Sequence, residues 1–297
     1  YKFELLQCLG LRYNKFSKTN TKNIMKSIGI VALKLNHSLS HVIHNYWLSQ
    51  TNTKFLFKKY ELKENDIELF MINFRKNKEF KGFNITIPYK EKFLNLCDRV
   101  SPRARKIGSV NLIYKNNNLI YGDNTDVIGF SKCYKSLKIQ RPRCVLLIGA
   151  GGAARSVLYF LNDKNIENID IFASSLKRKQ GLSTDFKFRK FVNNTSKLED
   201  KYDLIINASS AGMVGSEKLN RNIFKLVKKS KGVIDIVYNP MQTDLLKNAN
   251  NFKVKNIGGL KMLLEQAKPS FEKWTNKKVK IDNCLLYTSP SPRDPIG

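Results

Sequence analysis

Apolar and polar positions divide the chain into two parts with different patterns. Before residue 126, the apolar runs are short, and segments with apolar residues at helical spacing lie between them. After residue 143 the runs become nearly continuous, as in strands that are buried on both faces. These runs are CVLLI, NIDIFA, YDLIINA and KGVIDIV. Buried strands that alternate with helices indicate a parallel sheet, so the pattern predicts two α/β domains joined near residues 126–143.

The same pattern predicts the individual elements. Ser40 is a residue type that caps helices, so a helix is predicted from about His41 onward. The segment GLKMLLEQAKPSFEKWTN, residues 259–276, predicts a pair of amphipathic helices. The other predicted elements are strands at 27–33, 54–62 and 82–88, helices at 64–76, 89–97 and 126–138, and a β-hairpin around Asn116 to Asn118.

The segment NITIPYK, residues 84–90, combines a strand with a polar stripe. Side chains alternate along a strand, so Asn84 and Thr86 point to the same side. Pro88 cannot donate to a sheet ladder and marks the strand end, with Lys90 just beyond it. Such a stripe is either a solvated face or the floor of a site.

The segment IGAGGAA, residues 148–154, follows a predicted strand and opens a predicted helix. It fits the pattern G-x-G-x-x-G/A through Gly149, Gly151 and Ala154. Glycines allow the backbone to approach a pyrophosphate, and the helix start supplies N–H groups. The segment predicts a dinucleotide site, with a bare tight turn as the alternative. The predicted cofactor-binding residues here are Gly149, Ala150, Gly151, Gly152 and Ala153.

The end of the second strand of this part bears on the choice of cofactor. Enzymes that use NAD place an acid there, but Asp170 is followed by apolar residues and so lies inside the strand. The residues after the strand are polar and basic, which favours the 2′-phosphate of NADP. The alternative is that the two cations are merely solvated. The residues in question are Ser174, Ser175, Lys177 and Arg178.

The chain of 297 residues has a net charge of +29, from 53 Lys and Arg against 24 Asp and Glu. A basic chain suggests nucleic-acid binding. The lysines, however, are spread along the whole chain beside abundant Asn, Ile and Phe, all with AT-rich codons, which indicates a genome bias. We therefore expect no nucleic-acid partner, and since no run of 18 apolar residues occurs, no membrane span.

Cysteines and histidines give no sign of a metal or disulfide framework. The five cysteines are scattered and form no CxxC, so we expect reduced thiols in a cytoplasmic protein. His37, His41 and His44 lie close together, but no Cys or carboxylate completes a ligand set. The prediction is therefore no metal site.

Both ends of the chain have unusual features. Back-translation of CLLYTSPSPRD, from Cys284 to Asp294, matches a widely used sequencing adapter, so residues 284–297 are predicted to be an artefact. The chain starts with Tyr1, and Met25 precedes the first convincing strand. Residues 1–24 are therefore interpreted as upstream read-through, a linker or the end of a preceding domain.

Eight motifs, in order along residues 27–276, resemble those of the shikimate dehydrogenase family. They are HSLS, NITIPYK, IGSVN, GDNTD, GAGGAARS, DLIINASSAGM, VYNPMQTDLL and GGLKMLLEQAKPSFEKW. The resemblance implies a mostly parallel-sheet substrate domain at residues 25–127, completed by residues 259–283. It also implies a Rossmann-type NADP-binding domain at residues 128–258.

The resemblance further implies reversible, NADPH-dependent reduction of 3-dehydroshikimate to shikimate, in the biosynthesis of chorismate and aromatic amino acids. Lys90 and Asp126, the latter on the GDNTD loop, match the catalytic residues; Lys90 would exchange the proton. Ile236 and Gly259 are expected to contact the cofactor as well. A monomer or a homodimer is expected. The implied substrate-binding residues are Ser38, Ser40, Asn84, Thr86, Asn111, Tyr238 and Gln266.

The chain also departs from the family pattern. The family's Asn-Arg-Thr after the second strand is Ala173 to Ser175 here, which removes an arginine expected to pair with the 2′-phosphate. Lys177 or Arg178 is the candidate replacement. Ala32 to Lys34 replaces Gly-Asn-Pro, His41 replaces a proline and Lys261 replaces a glycine. Two alternatives stay open: a quinate/shikimate dehydrogenase that uses NAD, and a non-catalytic regulatory protein on the same fold.

Overall fold

Residues 25–35, 38–174 and 176–282 are described by the computed structural model, apart from the side chain of Lys177. They form two compact units. The first contains Asn111–Gly122 and the described parts of Tyr1–Arg99 and Ala267–Gly297, and the second contains Val100–Val110 and Asp123–Gln266. Residues 1–24 and 284–297, to which the interpretations of the chain ends apply, lie outside the described residues. The domain boundaries given above stay a prediction.

The first unit is built on a six-stranded sheet with the strand order β2-β1-β3-β5-β6-β4. β1 pairs in parallel with β2 and β3, and β3 pairs antiparallel with β5. Asn117 and Asn118 both have positive φ, as two-residue hairpin turns require, which confirms the predicted hairpin. The strands are β1 (Lys26–Ala32), β2 (Phe55–Glu61), β3 (Phe80–Ile85), β4 (Arg99–Val100), β5 (Leu112–Asn116) and β6 (Leu119–Asp123).

The helices of this unit are α1 (Ser40–Gln50) and α2 (Ile67–Lys76). Both were predicted from the sequence, but each begins at a different residue from the one predicted. Ser40 is the first residue of α1 and not its cap; instead the Ser38 Oγ accepts a hydrogen bond from the Ser40 amide at 3.3 Å. The predicted helix at 89–97 is wrong, since only a short 3-10 helix forms, at Lys92–Leu96. Tyr89 and Phe93 are both buried, but the Tyr89 amide donates to the Thr86 carbonyl and so belongs to the turn that precedes the 3-10 helix.

Edge-to-face aromatic rings fill the core of the first unit. The Phe74 ring lies 4.8 Å from that of Phe80 and 4.9 Å from that of Phe83, at interplanar angles of 86° and 84°. All three side chains are buried. Aromatic pairs in this geometry stabilise a core beyond the area they bury, so these phenylalanines build a packed interior.

The second unit contains six parallel strands in the order β12-β11-β10-β7-β8-β9. This order reverses direction between β7 and β10, as in dinucleotide-binding sheets, and it confirms the predicted Rossmann-type fold. The strands are β7 (Val145–Ile148), β8 (Ile169–Phe172), β9 (Lys190–Val192), β10 (Leu204–Asn207), β11 (Gly232–Asp235) and β12 (Lys255–Gly258). The helices are α3 (Pro102–Ile107), α4 (Asp126–Leu137), α5 (Gly152–Asp163), α6 (Lys179–Asp185), α7 (Arg221–Val227) and α8 (Asp244–Asn251).

Strand β7 shows why the apolar runs of this part are continuous. Val145 and Leu147 pack into one buried cluster, and Leu146 and Ile148 pack into another. Successive side chains point to opposite faces, so a strand covered on both sides must be apolar at every position.

The last helix, α9 (Gly259–Thr275), is a single helix and not the predicted pair. Pro269 lies inside it and removes one backbone hydrogen bond. The buried stripe nevertheless continues through the proline, along Leu264, Ala267, Phe271 and Trp274. Burial of this stripe on both sides of Pro269 offsets the lost bond, and this is why the helix does not break. None of the described helices combines the length and the apolar content needed to cross a membrane.

A buried acid lies at the carboxyl end of β11. Asp235 accepts hydrogen bonds from Thr243 Oγ1 at 2.6 Å, Asn207 Nδ2 at 2.9 Å and the Val237 amide at 3.1 Å. Thr243 also caps α8, since its Oγ1 accepts from the Leu246 amide. Burial raises the pKa of Asp235 to about 6, and the three hydrogen bonds oppose that rise.

Replacing Asp235 with Asn is expected to remove one source of pH dependence in stability. The unfolded carboxyl has a pKa of 3.8, so the folded protein binds this proton more tightly. The resulting stabilisation is full below pH 3.8 and is lost as the pH rises through about 6. A shift of about two pKa units corresponds to on the order of 3 kcal/mol. The free energy of unfolding of the wild type, minus that of Asp235→Asn, should fall between about pH 4 and pH 7 in urea titrations. A constant difference contradicts the raised pKa.

Candidate functional site

The glycine loop lies at the carboxyl end of β7, where the strand order of the second sheet reverses. Gly149 has a φ of +105°, and a Cβ there would lie 2.9 Å from the carbonyl carbon and oxygen of Ala208. The Gly149 amide donates to the Phe172 carbonyl at 2.8 Å. Only glycine combines this backbone conformation with this close approach, so the sequence motif reflects a steric requirement.

The start of helix α5 fits a dinucleotide phosphate. α5 begins at Gly152, no side chain caps it, and its first turn contains no acidic residue. A Cβ added at Gly151 would meet a single atom within 4 Å, the Nη1 of Arg178 at 3.7 Å. A helix N-terminus that is open to the approach of an anion and free of negative side chains suits a pyrophosphate.

Arg178 places a cation beside this loop. It ends a 3-10 helix, Leu176–Arg178, which follows β8. Its Nη1 donates to the Ala150 carbonyl at 3.4 Å. The guanidinium is therefore close to the predicted phosphate site, whereas Ser174 is exposed. Ser175 and the Lys177 side chain lie outside the described residues.

Asp170 lies inside β8, as predicted, and its carboxylate forms hydrogen bonds within the protein. It is fully buried and accepts from Arg189 Nε at 2.8 Å and from Arg189 Nη2 and the Tyr202 hydroxyl, each at 2.5 Å. These interactions occupy the carboxylate and raise the pKa of Arg189. Asp170 is thus unsuited to bind a ribose hydroxyl.

Ile236 and Gly259, both predicted to contact the cofactor, lie against each other. A Cβ at Gly259 would be 2.2 Å from the Ile236 carbonyl oxygen, so this position requires glycine. The Ile236 amide donates to the Asn207 carbonyl at 3.0 Å, at the end of β10. Tyr238 follows two residues later and is half-buried, and this burial raises the pKa of its phenol.

Asp126 lies in the second unit at the start of α4. It is buried and is the first residue of the helix, which confirms the helix start predicted at residue 126 and places Asp126 where the GDNTD loop ends. An acid in a first helical turn is favoured by the helix dipole. The preceding Thr125 donates its hydroxyl to Gln266 Oε1 at 3.4 Å, and Gln266 Nε2 donates to the Leu263 carbonyl at 2.9 Å. The structure therefore brings Gln266 next to the segment that contains Asp126.

In the first unit, Asn84 and Asn111 are joined by a hydrogen bond. Asn84 Nδ2 donates to the Asn111 carbonyl at 2.8 Å and to Ser270 Oγ at 2.9 Å. Both amide protons of Asn84 are therefore used inside the protein. The Asn84 side chain also interacts with His44, where a hydrogen bond opposes the fall in the pKa of the imidazole. Asn84 therefore fixes the Asn111 backbone, and its contact with a substrate stays a prediction.

Lys90 follows a tight turn at the end of β3. The Thr86 amide donates to the Val31 carbonyl at 3.0 Å, and the Tyr89 amide donates to the Thr86 carbonyl at 3.1 Å. The Tyr89 hydroxyl donates to the Leu62 carbonyl at 2.7 Å. These bonds hold the turn on both sides, and they leave Thr86 and Lys90 half-buried.

Ser38 and Ser40 of the HSLS motif also belong to the first unit, with His41 and His44, whereas His37 lies outside the described residues. Ser38 and Ser40 are buried at the start of α1, and His41 Nδ1 lies 3.0 Å from the Ser38 carbonyl. His44 is stacked on Phe57 at 4.9 Å, and burial lowers its pKa to about 3, so the ring is neutral. No group of three or more His, Cys, Asp or Glu side chains in the described part of the chain is arranged to hold a metal ion.

Asn124 is a residue of this region that reasoning from the sequence missed. Its side chain is fully buried between helices α4 and α5 and is hydrogen-bonded at both ends. The GDNTD motif contains it, but only Asp126 received a role. A single sequence does not distinguish a buried asparagine from an exposed one before a helix, because burial depends on remote segments.

The sequence matches one family model and a set of related proteins. The family model for the shikimate dehydrogenase substrate-binding domain matches residues 30–113. A shikimate dehydrogenase (NADP(+)) of Clostridium perfringens (strain SM101 / Type A) is 34% identical over 258 residues, which are 86% of this chain and 94% of that protein.

Two crystal structures extend the comparison to three dimensions. Shikimate dehydrogenase from Aquifex aeolicus has a TM-score of 0.78 and 30% identity, over 88% of this chain and 96% of that one. The Thermus thermophilus enzyme, in complex with NADP(H) and shikimate, has a TM-score of 0.74 and 27% identity, over 86% and 95%. With the relatives covered almost end to end, the resemblance in the motifs is confirmed, and the chain belongs to the shikimate dehydrogenase family.

Proposed function

We propose that this protein catalyses the reversible, NADPH-dependent reduction of 3-dehydroshikimate to shikimate, a step in the biosynthesis of aromatic amino acids. The observation that carries the proposal is a glycine loop at the switch point of a parallel sheet, in a chain 34% identical to an NADP-dependent shikimate dehydrogenase. Lys90 and Asp126, the residues that the chemistry needs, are both present.

The cofactor would be held by the second unit. The glycine loop from Gly149 to Ala153 would bind the pyrophosphate, with Ile236 and Gly259 at the neighbouring strand ends. Arg178, beside Ala150, together with Ser174, Ser175 and Lys177, would bind the 2′-phosphate, since a guanidinium matches phosphate geometry. The bound nicotinamide supplies or accepts the hydride.

The substrate would be held by the residues that the family motifs imply. Ser38 and Ser40 would bind its carboxylate through hydroxyl groups. Thr86, Asn111, Tyr238 and Gln266 would bind its ring hydroxyls, with Asn84 behind Asn111. Rigid positioning of this kind lowers the barrier by removing the entropy loss from the chemical step.

Lys90 would exchange the proton at the carbonyl oxygen. In reduction, a protonated Lys90 Nζ gives its proton to the oxygen as the hydride reaches the carbon; in oxidation, a neutral Lys90 takes it back. Oxidation releases one proton to the solvent overall, so its equilibrium should shift toward the products as the pH rises. Asp126 would orient Lys90 and bind a substrate hydroxyl.

The proposal also covers the compartment, the oligomeric state and the partners of the enzyme. Among the described residues, Cys97, Cys133 and Cys144 are free thiols, and burial raises the pKa of Cys133 to about 12, so these thiols are unreactive. Reduced cysteines of this kind suit a cytoplasmic enzyme. We propose a monomer or a homodimer with no nucleic-acid or membrane partner, and a substrate domain and a cofactor domain at the boundaries predicted from the sequence.

The function is tested by assaying shikimate and quinate with NADP and with NAD, followed at the nicotinamide absorbance. Turnover of shikimate with NADP should exceed the other three combinations. Preference for quinate with NAD would favour the alternative dehydrogenase. Absence of turnover with all four would favour the non-catalytic protein and overturn the proposal.

Replacing Lys90 with Ala should lower kcat by about 10²- to 10⁴-fold, as is typical for loss of a general acid–base group. The KM for shikimate should change much less, because the other substrate-binding residues are retained. Asp126→Asn should lower kcat and raise KM together. If both residues act as one unit, the double variant should be little worse than the worse single variant.

The matched control is Lys92→Ala. Lys92 is a nearby lysine whose Nζ lies 2.8 Å from Glu64 Oε1 at the surface. The kcat of the Lys92→Ala variant should equal that of the wild type. A Lys90→Ala enzyme with the same kcat as Lys92→Ala removes Lys90 from the mechanism.

Replacing Arg178 with Ala should raise the KM for NADP roughly tenfold or more, since a charge-assisted hydrogen bond to phosphate is lost. The KM for NAD should stay nearly constant, and adding Lys177→Ala should widen the difference. Lys179→Ala, one residue further along, is the control and should behave as wild type. Equal effects on both cofactors reject the assignment to the 2′-phosphate.

A further inference from the structure

Asn124 lies at the centre of a buried hydrogen-bond network in the second unit. Its side chain has no exposed surface. Nδ2 donates to the Ser109 carbonyl at 3.0 Å and to Ser109 Oγ at 3.2 Å. Oδ1 accepts from Ser156 Oγ at 3.2 Å and from the Val127 amide at 3.4 Å. Donor and acceptor ends of the amide are therefore both satisfied.

The partners of Asn124 belong to three segments that the proposed function uses. Val127 is the second residue of α4, next to Asp126. Ser156 lies in the second turn of α5, and its Oγ also lies 3.3 Å from the carbonyl of Gly152, the residue that starts the helix behind the glycine loop. Ser109 precedes Asn111 by two residues in the sequence.

We propose that Asn124 is a positioning residue: it holds the first turn of α4, which begins with Asp126, against the glycine-loop helix α5. The inference rests on the proposed function, because it takes Asp126 as a reacting group. Asn124 itself contacts no substrate in this scheme and acts through the placement of Asp126.

The amide is the side chain that this position requires. One donor must meet the Ser109 carbonyl, and one acceptor must meet the Val127 amide and the Ser156 hydroxyl. A carboxylate has no donor, a hydroxyl is too short to reach both sides, and an apolar residue leaves buried polar groups without partners. Among the described residues, the side chains joined in this network are those of Asn124, Ser109 and Ser156.

A small displacement of Asp126 has a large kinetic consequence. Misplacement of a reacting group by about 1 Å costs on the order of 10²-fold in rate. NADP binding depends on other residues, and shikimate would lose at most part of its single contact with Asp126, so both KM values should change much less than kcat. A positioning role therefore predicts a fall in kcat without a matching rise in KM.

The test compares Asn124→Ala with wild type at a temperature at which both are folded. We expect kcat for shikimate oxidation to fall about 10- to 100-fold, with both KM values within about threefold. Hydrogen exchange of the ligand-free proteins should show faster exchange in the peptide that contains Val127 to Gly129. Ser156→Ala removes a single hydroxyl with little risk to folding and should shift kcat and exchange in the same direction, by a smaller factor.

The control is Val227→Ala, a buried position in α7 that belongs to a separate core cluster. It should lower the melting temperature, yet leave kcat and the exchange of Val127 to Gly129 unchanged. An equal loss of kcat in this control, or wild-type kcat in Asn124→Ala, overturns the inference. If Asn124→Ala does not fold, wild-type kcat and exchange in Ser156→Ala overturn it.

If the proposed function is wrong, the activity assay and the hydrogen-exchange comparison give different results. The wild type would then show no turnover with shikimate, whereas the hydrogen-exchange comparison still reports on the position of α4. Unchanged exchange in Asn124→Ala would overturn the positioning role independently of any activity.

Discussion

The backbone of the glycine loop passes so close to the neighbouring strand end that a Cβ at Gly149 would lie 2.9 Å from the Ala208 carbonyl group. This contact fixes where the chain leaves β7, and therefore where α5 begins. The position of α5 in turn determines which side chains reach the loop: Arg178 contacts Ala150, and Ser156 contacts Asn124. The proposed cofactor site and the network around Asp126 thus depend on one close approach of two backbone segments.

Buried polar side chains recur beside each segment to which a function is assigned. Asn84 supports Asn111, Asn124 supports the start of α4, and Asp235 supports the turn that leads to Tyr238. A buried amide or carboxylate is costly unless its hydrogen bonds are made, so each such residue allows one local arrangement and excludes others. These positions therefore fix backbone geometry, and side chains close to them in sequence are left to bind ligands.

Several boundaries could not be predicted because local propensity competes with tertiary packing. Ser40 has the properties of a cap, but Ser38 accepts the hydrogen bond from the Ser40 amide and the helix starts one residue early. Residues 89–97 have helical spacing, yet Tyr89 is held in the turn after β3 and only a 3-10 helix forms, at Lys92–Leu96. Conversely, residues 259–276 were predicted to form two helices but form one, because the buried stripe on either side of Pro269 offsets the hydrogen bond that proline removes.

The sequence by itself determined the two α/β patterns, the parallel strands of the second sheet, the glycine loop and the residues proposed for chemistry. Those features follow from side-chain periodicity and from steric rules that act over a few residues. Only the tertiary structure decided which polar groups are buried and what they bind. The reason is distance along the chain: Asn84 and Ser270 are 186 residues apart and share a hydrogen bond. Asn124 and Ser156, 32 residues apart, do the same. Such pairs form only when the fold brings their segments together.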